Sequence, residues 1–273
     1  KRFLLCKTLG VVGTGSLMGS KALDVQKSVA KSLGLYSIEA ATQVIPRERL
    51  AEVQFVISLI GCTLDKIATE IRNLQRTEIG EVEEPFKKGQ LGSSAVPIKR
   101  NPIKSERISS LARILRSFSN ISQENISLWH ERDLSNSANE RFTIPMGVIL
   151  LDEMINSMIR VIEGLSVNRQ KILDNINKTK GRIFAEFILE ALVKKGIPRM
   201  KAYDNIQHVA FETLPDDKDF KEAIMQDPSI GAHLSKNELR TIFDPNTHLA
   251  ASARIIKDVI RKAEQVRKNY KGL

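Results

Sequence analysis

The run Leu50–Leu74, LAEVQFVISLIGCTLDKIATEIRNL, carries apolar residues at Leu50, Val53, Ile57, Ile60, Leu64, Ile67, Ile71 and Leu74, in alternating steps of three and four. A seam of that period, held for more than three heptads, predicts a long helix that meets other helices along its length. The same stepping recurs at Val148, Leu151, Ile155, Met158, Ile162 and Leu165, beyond a break expected at Pro145, with Ile149, Met154 and Val161 off the seam. A helix apolar on more than one side belongs deep in a bundle or between subunits. A third helix is expected from Asn101-Pro102, with Asn101 as N-cap, Pro102 at the first helical position and Ile108, Leu111, Leu115 and Phe118 as its apolar face. No alternating strand pattern stands out, so the expected fold class is all-α. From about Lys178 the helices shorten, punctuated at Lys195-Gly196-Ile197-Pro198, Leu214-Pro215-Asp216-Asp217 and Asp244-Pro245-Asn246. Two domains are expected: a helical bundle over 1–172 and a smaller helical domain over 173–273.

The chain of 273 residues is 42% hydrophobic and 27% charged, enough for a sizeable core. Its uncharged apolar runs fall short of the roughly 20 residues that span a bilayer, and Lys1-Arg2-Phe3-Leu4-Leu5-Cys6 is too short an apolar start for a signal peptide. The expectation is a cytoplasmic protein without a membrane partner. Cys6 and Cys62 are its only cysteines, and no disulfide is expected. A formal charge of +10 suits a nucleic-acid binder or an enzyme for a polyanionic substrate. Aromatic content of 5% leaves few stacking platforms, which argues against nucleic acid. No metal-ligand constellation appears.

Between the first and third helices lies LGSSAVPIKRNP, Leu91–Pro102, which neither extends a helix nor offers an apolar face. Gly92 permits positive φ, Ser93-Ser94 bring hydroxyls and amides, and Lys99 and Asn101 bring a cation and an amide near the positive end of the next helix. Such parts hold a developing oxyanion or activate a serine. From spacing alone, a surface loop whose Asn101 caps a helix fits equally well.

GSSAVPIKRNP, Gly92–Pro102, resembles the signature loop of the fumarase/aspartase superfamily, departing from its usual pattern at Val96 and Ile98. The resemblance implies a long-helix bundle and a β-elimination through an aci-carboxylate. It makes Ser93 the base, gives Lys99 and Asn101 the substrate carboxylate, and places Ser94 beside the substrate. LWHERDLSNSANER, Leu128–Arg141, resembles the adenylosuccinate lyase family in its WHERD core, and there Arg132, Ser137 and Arg141 match contacts to a nucleotide and its phosphate. Ala41-Thr42-Gln43, EIRNLQRTEIGEVEEPF and the glycine-rich KTLGVVGTGS, Lys7–Ser16, extend the likeness over nearly the whole chain. By the same resemblance Gln43 and Arg107 contact substrate, and Glu106 orients a catalytic histidine.

The four histidines, His130, His208, His233 and His248, lie outside the motif that carries the family's general acid. The expectation is therefore the C-terminal part of a longer lyase, its central domain incomplete at the N-terminus. The resemblance implies a homotetramer with active sites shared between subunits, a succinyl purine nucleotide as small-molecule substrate, fumarate as product and no cofactor. A carboxymuconate cycloisomerase-like relative and a catalytically silent relative are the alternatives.

Overall fold

The computed structural model describes residues 2–86, 89, 92–93, 95–213 and 218–270. They form two compact units, residues 1–168 and 169–273.

The first unit begins with β1 (Leu5–Cys6), α1 (Ala22–Ser32) and β2 (Tyr36–Ser37), the two short strands pairing in parallel. Gln26, fully buried on α1, accepts from the Thr8 amide at 2.9 Å and donates to Ser37 Oγ and the Ile38 carbonyl. One side chain thus ties helix to strands. Three long helices follow: α2 (Glu48–Leu74), α3 (Ile103–Glu124) and α4 (Ser137–Glu163). They run up, down and up. Arg72 near the end of α2 meets Ser109 early in α3, whereas Asp65, earlier in α2, pairs with Arg116, later in α3. A second ladder, β3 (Val82–Glu83) antiparallel to β4 (Ser166–Val167), fastens the exit of α2 to the end of α4. Both ladders are two residues long, below what side-chain alternation reveals.

The core of this unit overturns part of the seam reading. Ile57 and Ile71 of α2 are buried, but Ile60 and Ile67 are exposed, and the rest of the buried stripe is Ala51, Gln54, Ser58, Gly61 and Ala68. On α4 the expected seam residues Val148, Ile155 and Ile162 point to solvent, while Met154, Ser157, Met158 and Val161 face inward. Small residues let the helix backbones approach closely, with Ile57, Ile71, Ile108, Leu115, Met154 and Val161 filling the rest of the core, so part of each expected seam lies on the outer face. Pro145 does not break α4, which runs straight through it. By length and composition α4 is apolar enough to cross a membrane, yet it packs on α2 and α3 and its Glu153 is ion-paired to Arg107.

The second unit holds α5 (Arg169–Asn177), α6 (Ala185–Lys194), α7 (Arg199–Thr213), α8 (Phe220–Gln226), α9 (Pro228–Gly231), α10 (Lys236–Ile242) and α11 (Ala250–Tyr270). Phe184, Ile188, Leu192, Phe220, Ile224, Ile230 and Leu239 build a large-residue core. Cys6 and Cys62 are free thiols.

Candidate active site

The expected site residues fall into two groups. At the end of the bundle where α2 stops and α3 starts lies the signature loop. Ser93 Oγ accepts the amide hydrogens of Ala95 and Val96 at 3.3 and 3.1 Å. Two amides aimed at one oxygen stabilise negative charge there, as a serine acting as base requires. Asn101 donates through Nδ2 to the Gly92 carbonyl at 2.9 Å, drawing the loop into a ring, and Lys99 is exposed beside it. Gly92 is needed for room, since a Cβ there would lie 2.2 Å from the Lys99 carbonyl oxygen. Its φ is not positive, contrary to the sequence expectation. Ser94 lies outside the described residues.

Asn101 is not the N-cap of α3 either. The cap residue is Pro102, and the acceptor comes from Glu84, whose carboxylate takes the Lys104 amide at 3.0 Å and the Ser105 amide at 3.2 Å. That frees the Asn101 side chain for the loop. Glu106 stands exposed in the first turn of α3. Arg107 donates to Glu153 of α4 at 2.8 Å and to Ser157 at 3.0 Å. The Ser157 hydroxyl first, then the Arg107 and Arg160 guanidiniums, hold the Glu153 carboxyl below its ordinary value.

At the other end lie Gln43 and the 128–141 segment. The Gln43 amide donates to the Glu131 carbonyl at 3.3 Å, and Lys7 Nζ donates to the Gln43 carbonyl at 2.8 Å. Gly13, at φ 77°, lies so close that a Cβ would fall 1.9 Å from the Ala41 carbonyl oxygen. The glycine-rich turn is thus the support under Gln43. A cavity of about 470 Å³ opens here among Thr42, Pro46, Arg47, Leu128, His130 and Glu131.

Ser137 opens α4 and Arg141 follows one turn later on the same face. The N-cap residue Asn136 makes no side-chain cap; the Ser137 amide donates to the Leu134 carbonyl at 3.1 Å, and the next amides, at the positive end of the helix dipole, are left to an anion. Arg132 Nε is buried with no hydrogen-bond partner, an uncommon cost for a guanidinium. An uncapped helix end with the Ser137 hydroxyl and Arg141 on one face, and Arg132 just before it in the chain, is a set of groups that suits a phosphate.

Residues that sequence reasoning passed over hold this end together. Arg47 and Glu140, each 15% exposed, pair at 3.2 Å between the starts of α2 and α4. Asn125 and Asn139 exchange amide hydrogen bonds at 2.6 and 2.9 Å. Asp133 accepts the Trp129 and Ser135 amides, both at 2.7 Å. The Ser135 hydroxyl first, then those amides, hold its carboxyl below the usual range. The only sequence signal for these residues is a polar type inside or beside a quoted motif.

The two groups are far apart. With 27 residues in α2 and about 1.5 Å of rise per residue, the ends of the bundle stand about 40 Å from each other. Among the described residues no hydrogen bond or ion pair joins Ser93, Lys99 or Asn101 to Gln43, Arg132, Ser137 or Arg141.

A family profile described as "Lyase" matches residues 1–115, and one described as "Adenylosuccinate lyase C-terminus" matches 181–259. Among solved structures, the 3-carboxy-cis,cis-muconate lactonizing enzyme from Pseudomonas putida superposes with a TM-score of 0.84 at 26% identity, over 96% of this chain and 58% of that one. A fumarate lyase from Mesorhizobium sp. BNC1 superposes with a TM-score of 0.83 at 25% identity, over 94% and 56%. Fold and signature loop define a chain of the fumarase/aspartase superfamily. The adenylosuccinate lyase of Pyrococcus abyssi (strain GE5 / Orsay) is 39% identical over 97% of this chain, and that of Aquifex aeolicus (strain VF5) is 43% identical over 88%. Within the superfamily, the chain is similar to adenylosuccinate lyases over nearly its whole length. It spans 59% and 54% of the lengths of those two relatives.

Proposed function

We propose that this chain is part of an adenylosuccinate lyase, a cytoplasmic C–N lyase of purine nucleotide synthesis. It releases fumarate from adenylosuccinate to leave AMP, and from the succinylcarboxamide ribotide SAICAR to leave AICAR. Ser93, its Oγ held by two amides, removes the proton beside a substrate carboxylate. Lys99 and Asn101 hold that carboxylate as charge develops on it, where fixed donors are worth most. The C–N bond then breaks, and a proton reaches the leaving nitrogen from a histidine that Glu106 orients. By the family pattern that histidine is not one of His130, His208, His233 or His248. Arg132, Ser137 and Arg141 bind the phosphate, Gln43 and Arg107 contact the rest of the substrate, and Ser94 lies beside it. The chemistry requires no cofactor.

One observation carries the nucleotide reading: the buried, unpartnered Arg132 Nε, in the segment that leads into the uncapped start of α4. The muconate reading has structural likeness behind it, with a TM-score of 0.84. Its substrate carries carboxylates but no phosphate, and so has no need for Ser137 and Arg141 to read a nucleotide.

The active site is shared between subunits of a homotetramer. The separation of about 40 Å along α2 keeps one copy's Ser93 from its own Arg132. The outward aliphatics of α2 and α4, among them Phe55, Leu59, Ile149 and Ile162, offer a surface for further copies.

Fumarate release by the intact protein from each nucleotide, set beside lactone formation from carboxymuconate, tests the assignment. Ser93→Ala abolishes turnover while nucleotide binding persists, and Arg132→Ala raises KM at least about tenfold through loss of charge-assisted hydrogen bonds. Turnover of carboxymuconate but of neither nucleotide overturns the reading.

A further inference from the structure

The loop that carries Ser93, Lys99 and Asn101 leaves the bundle at Glu84 and returns at α3, and these two points are bonded to each other. Glu84 is 2% exposed. Oε1 accepts the Lys104 amide at 3.0 Å, and Oε2 accepts the Ser105 amide at 3.2 Å and the Ser105 hydroxyl at 3.1 Å. Those amides are the second and third of α3, the pair an N-cap side chain normally serves. Here the cap comes from twenty residues upstream, across the whole loop.

The upstream side is itself anchored. The Glu84 amide donates to Gln75 Oε1 at 2.9 Å, and the same Gln75 donates through Nε2 to the Arg100 carbonyl at 3.0 Å. Lys104 Nζ closes the neck again on the Pro85 carbonyl at 2.9 Å. Val82 and Glu83 are laddered to Val167 and Ser166 at the end of α4.

We infer that Glu84 is a positioning residue for the loop: its carboxylate, capping α3 from the far side of the loop, sets where Lys99 and Asn101 present their polar groups. It does not touch substrate. The inference rests on the lyase reading, which assigns those two residues to the developing carboxylate. Geometry makes the carboxylate hard to replace. An amide has one oxygen for the two backbone donors and turns an NH₂ group toward a donor, leaving one amide of a buried helix end unsatisfied.

The experiment is Glu84→Gln in the intact protein, read by steady-state kinetics on adenylosuccinate and by hydrogen exchange at the Lys104 and Ser105 amides. A displacement near 1 Å at a reacting centre costs about a hundredfold. We therefore expect kcat to fall by about 10- to 100-fold, KM to stay within about threefold, and exchange at those two amides to quicken. The nucleotide contacts sit at the other end of the bundle, which keeps KM apart from kcat. Glu83→Gln, which removes only the surface pair with Arg100, leaves kcat within about twofold. Unchanged kcat in Glu84→Gln overturns the inference, as does faster exchange along all of α3 with kcat and KM lost together. Should Glu84→Gln not fold, Glu84→Asp, with its charge kept and its reach shortened, is measured in the same way. If the wild-type protein releases fumarate from neither nucleotide, the lyase reading fails and exchange alone decides the clamp: unchanged exchange at Lys104 and Ser105 overturns it.

Discussion

In residues 169–273 the short helices α8, α9 and α10 open under their own side chains: Asp219 accepts the Glu222 amide, Asp227 the Ile230 amide, and Ser235 and Glu238 form a reciprocal capping box. In residues 1–168 the long helices α2, α3 and α4 open at Arg47, Pro102 and Asn136, none of which caps with its side chain. The interiors differ in the same sense. One unit buries Phe220, Ile188, Leu192 and Leu239; the other mixes small residues, Ser58, Gly61, Ser109 and Ala112, with Ile108, Leu115 and Met154, and leaves Leu59, Val148 and Ile149 exposed. The second unit caps three of its short helices locally, yet it too leaves apolar surface open, since α11 buries no residue and exposes Ile255, Ile256, Val259 and Ile260. The first leaves helix ends and apolar surface for something else to use, which accords with a substrate anion at the α4 terminus and further copies against α2 and α4.

Leu59→Asp breaks this comparison most visibly. A carboxylate on the exposed face of α2 leaves the monomer fold intact but opposes burial between copies. Sedimentation is expected to show dissociation, with fumarate release down at least about 100-fold, because the separated halves of the site contribute little alone. Retained assembly and activity refute the outward face as an interface. Phe220→Ala probes the opposite case, a fully buried ring in the core of the second unit. It costs that unit about 3–5 kcal/mol, measured by chemical denaturation.

A smaller effect is expected at Arg47–Glu140, the pair between two uncapped helix starts. Single and double alanine variants yield a coupling of about 1–2 kcal/mol and a higher KM, since Gln43 and Ser137 flank the pair. Additive variants with unchanged KM make the pair ornamental. The smallest effect is one of pH. Glu238 is lowered from 4.5 to about 2, by Lys195 first and then by the Ser235 amide and hydroxyl. A lowered carboxyl stabilises the fold above its ordinary value and loses that contribution as pH falls through the folded one. Acid titration should therefore show a slope in unit-two stability between about pH 4.5 and about pH 2, and Glu238→Gln should flatten it.

The helical nature of α2, α3 and α4 was legible because heptad spacing is a local property of the chain, and the two motifs were legible as fixed strings of polar residues. Which face of each helix forms the interior was not. Ile60, Ile67, Val148 and Ile162 mark the most apolar stripes, and these are exposed because Ala, Ser and Gly on the other faces bring the helices together. The four two-residue strands carry too few side chains for a period. The roles of Glu84, Asp133 and Arg47 depend on partners brought near by folding, and nothing in their spacing announces them.

The sequence by itself determined that this chain folds as long helices, and which superfamily pattern Gly92–Pro102 and Leu128–Arg141 match. Only the tertiary structure decided that these two segments stand at opposite ends of a bundle about 40 Å long, and that Glu84 rather than Asn101 caps α3. The reason is physical. Helix period and motif identity are written in neighbouring residues, whereas distance between segments and the choice of hydrogen-bond partner are fixed when distant parts of the chain pack.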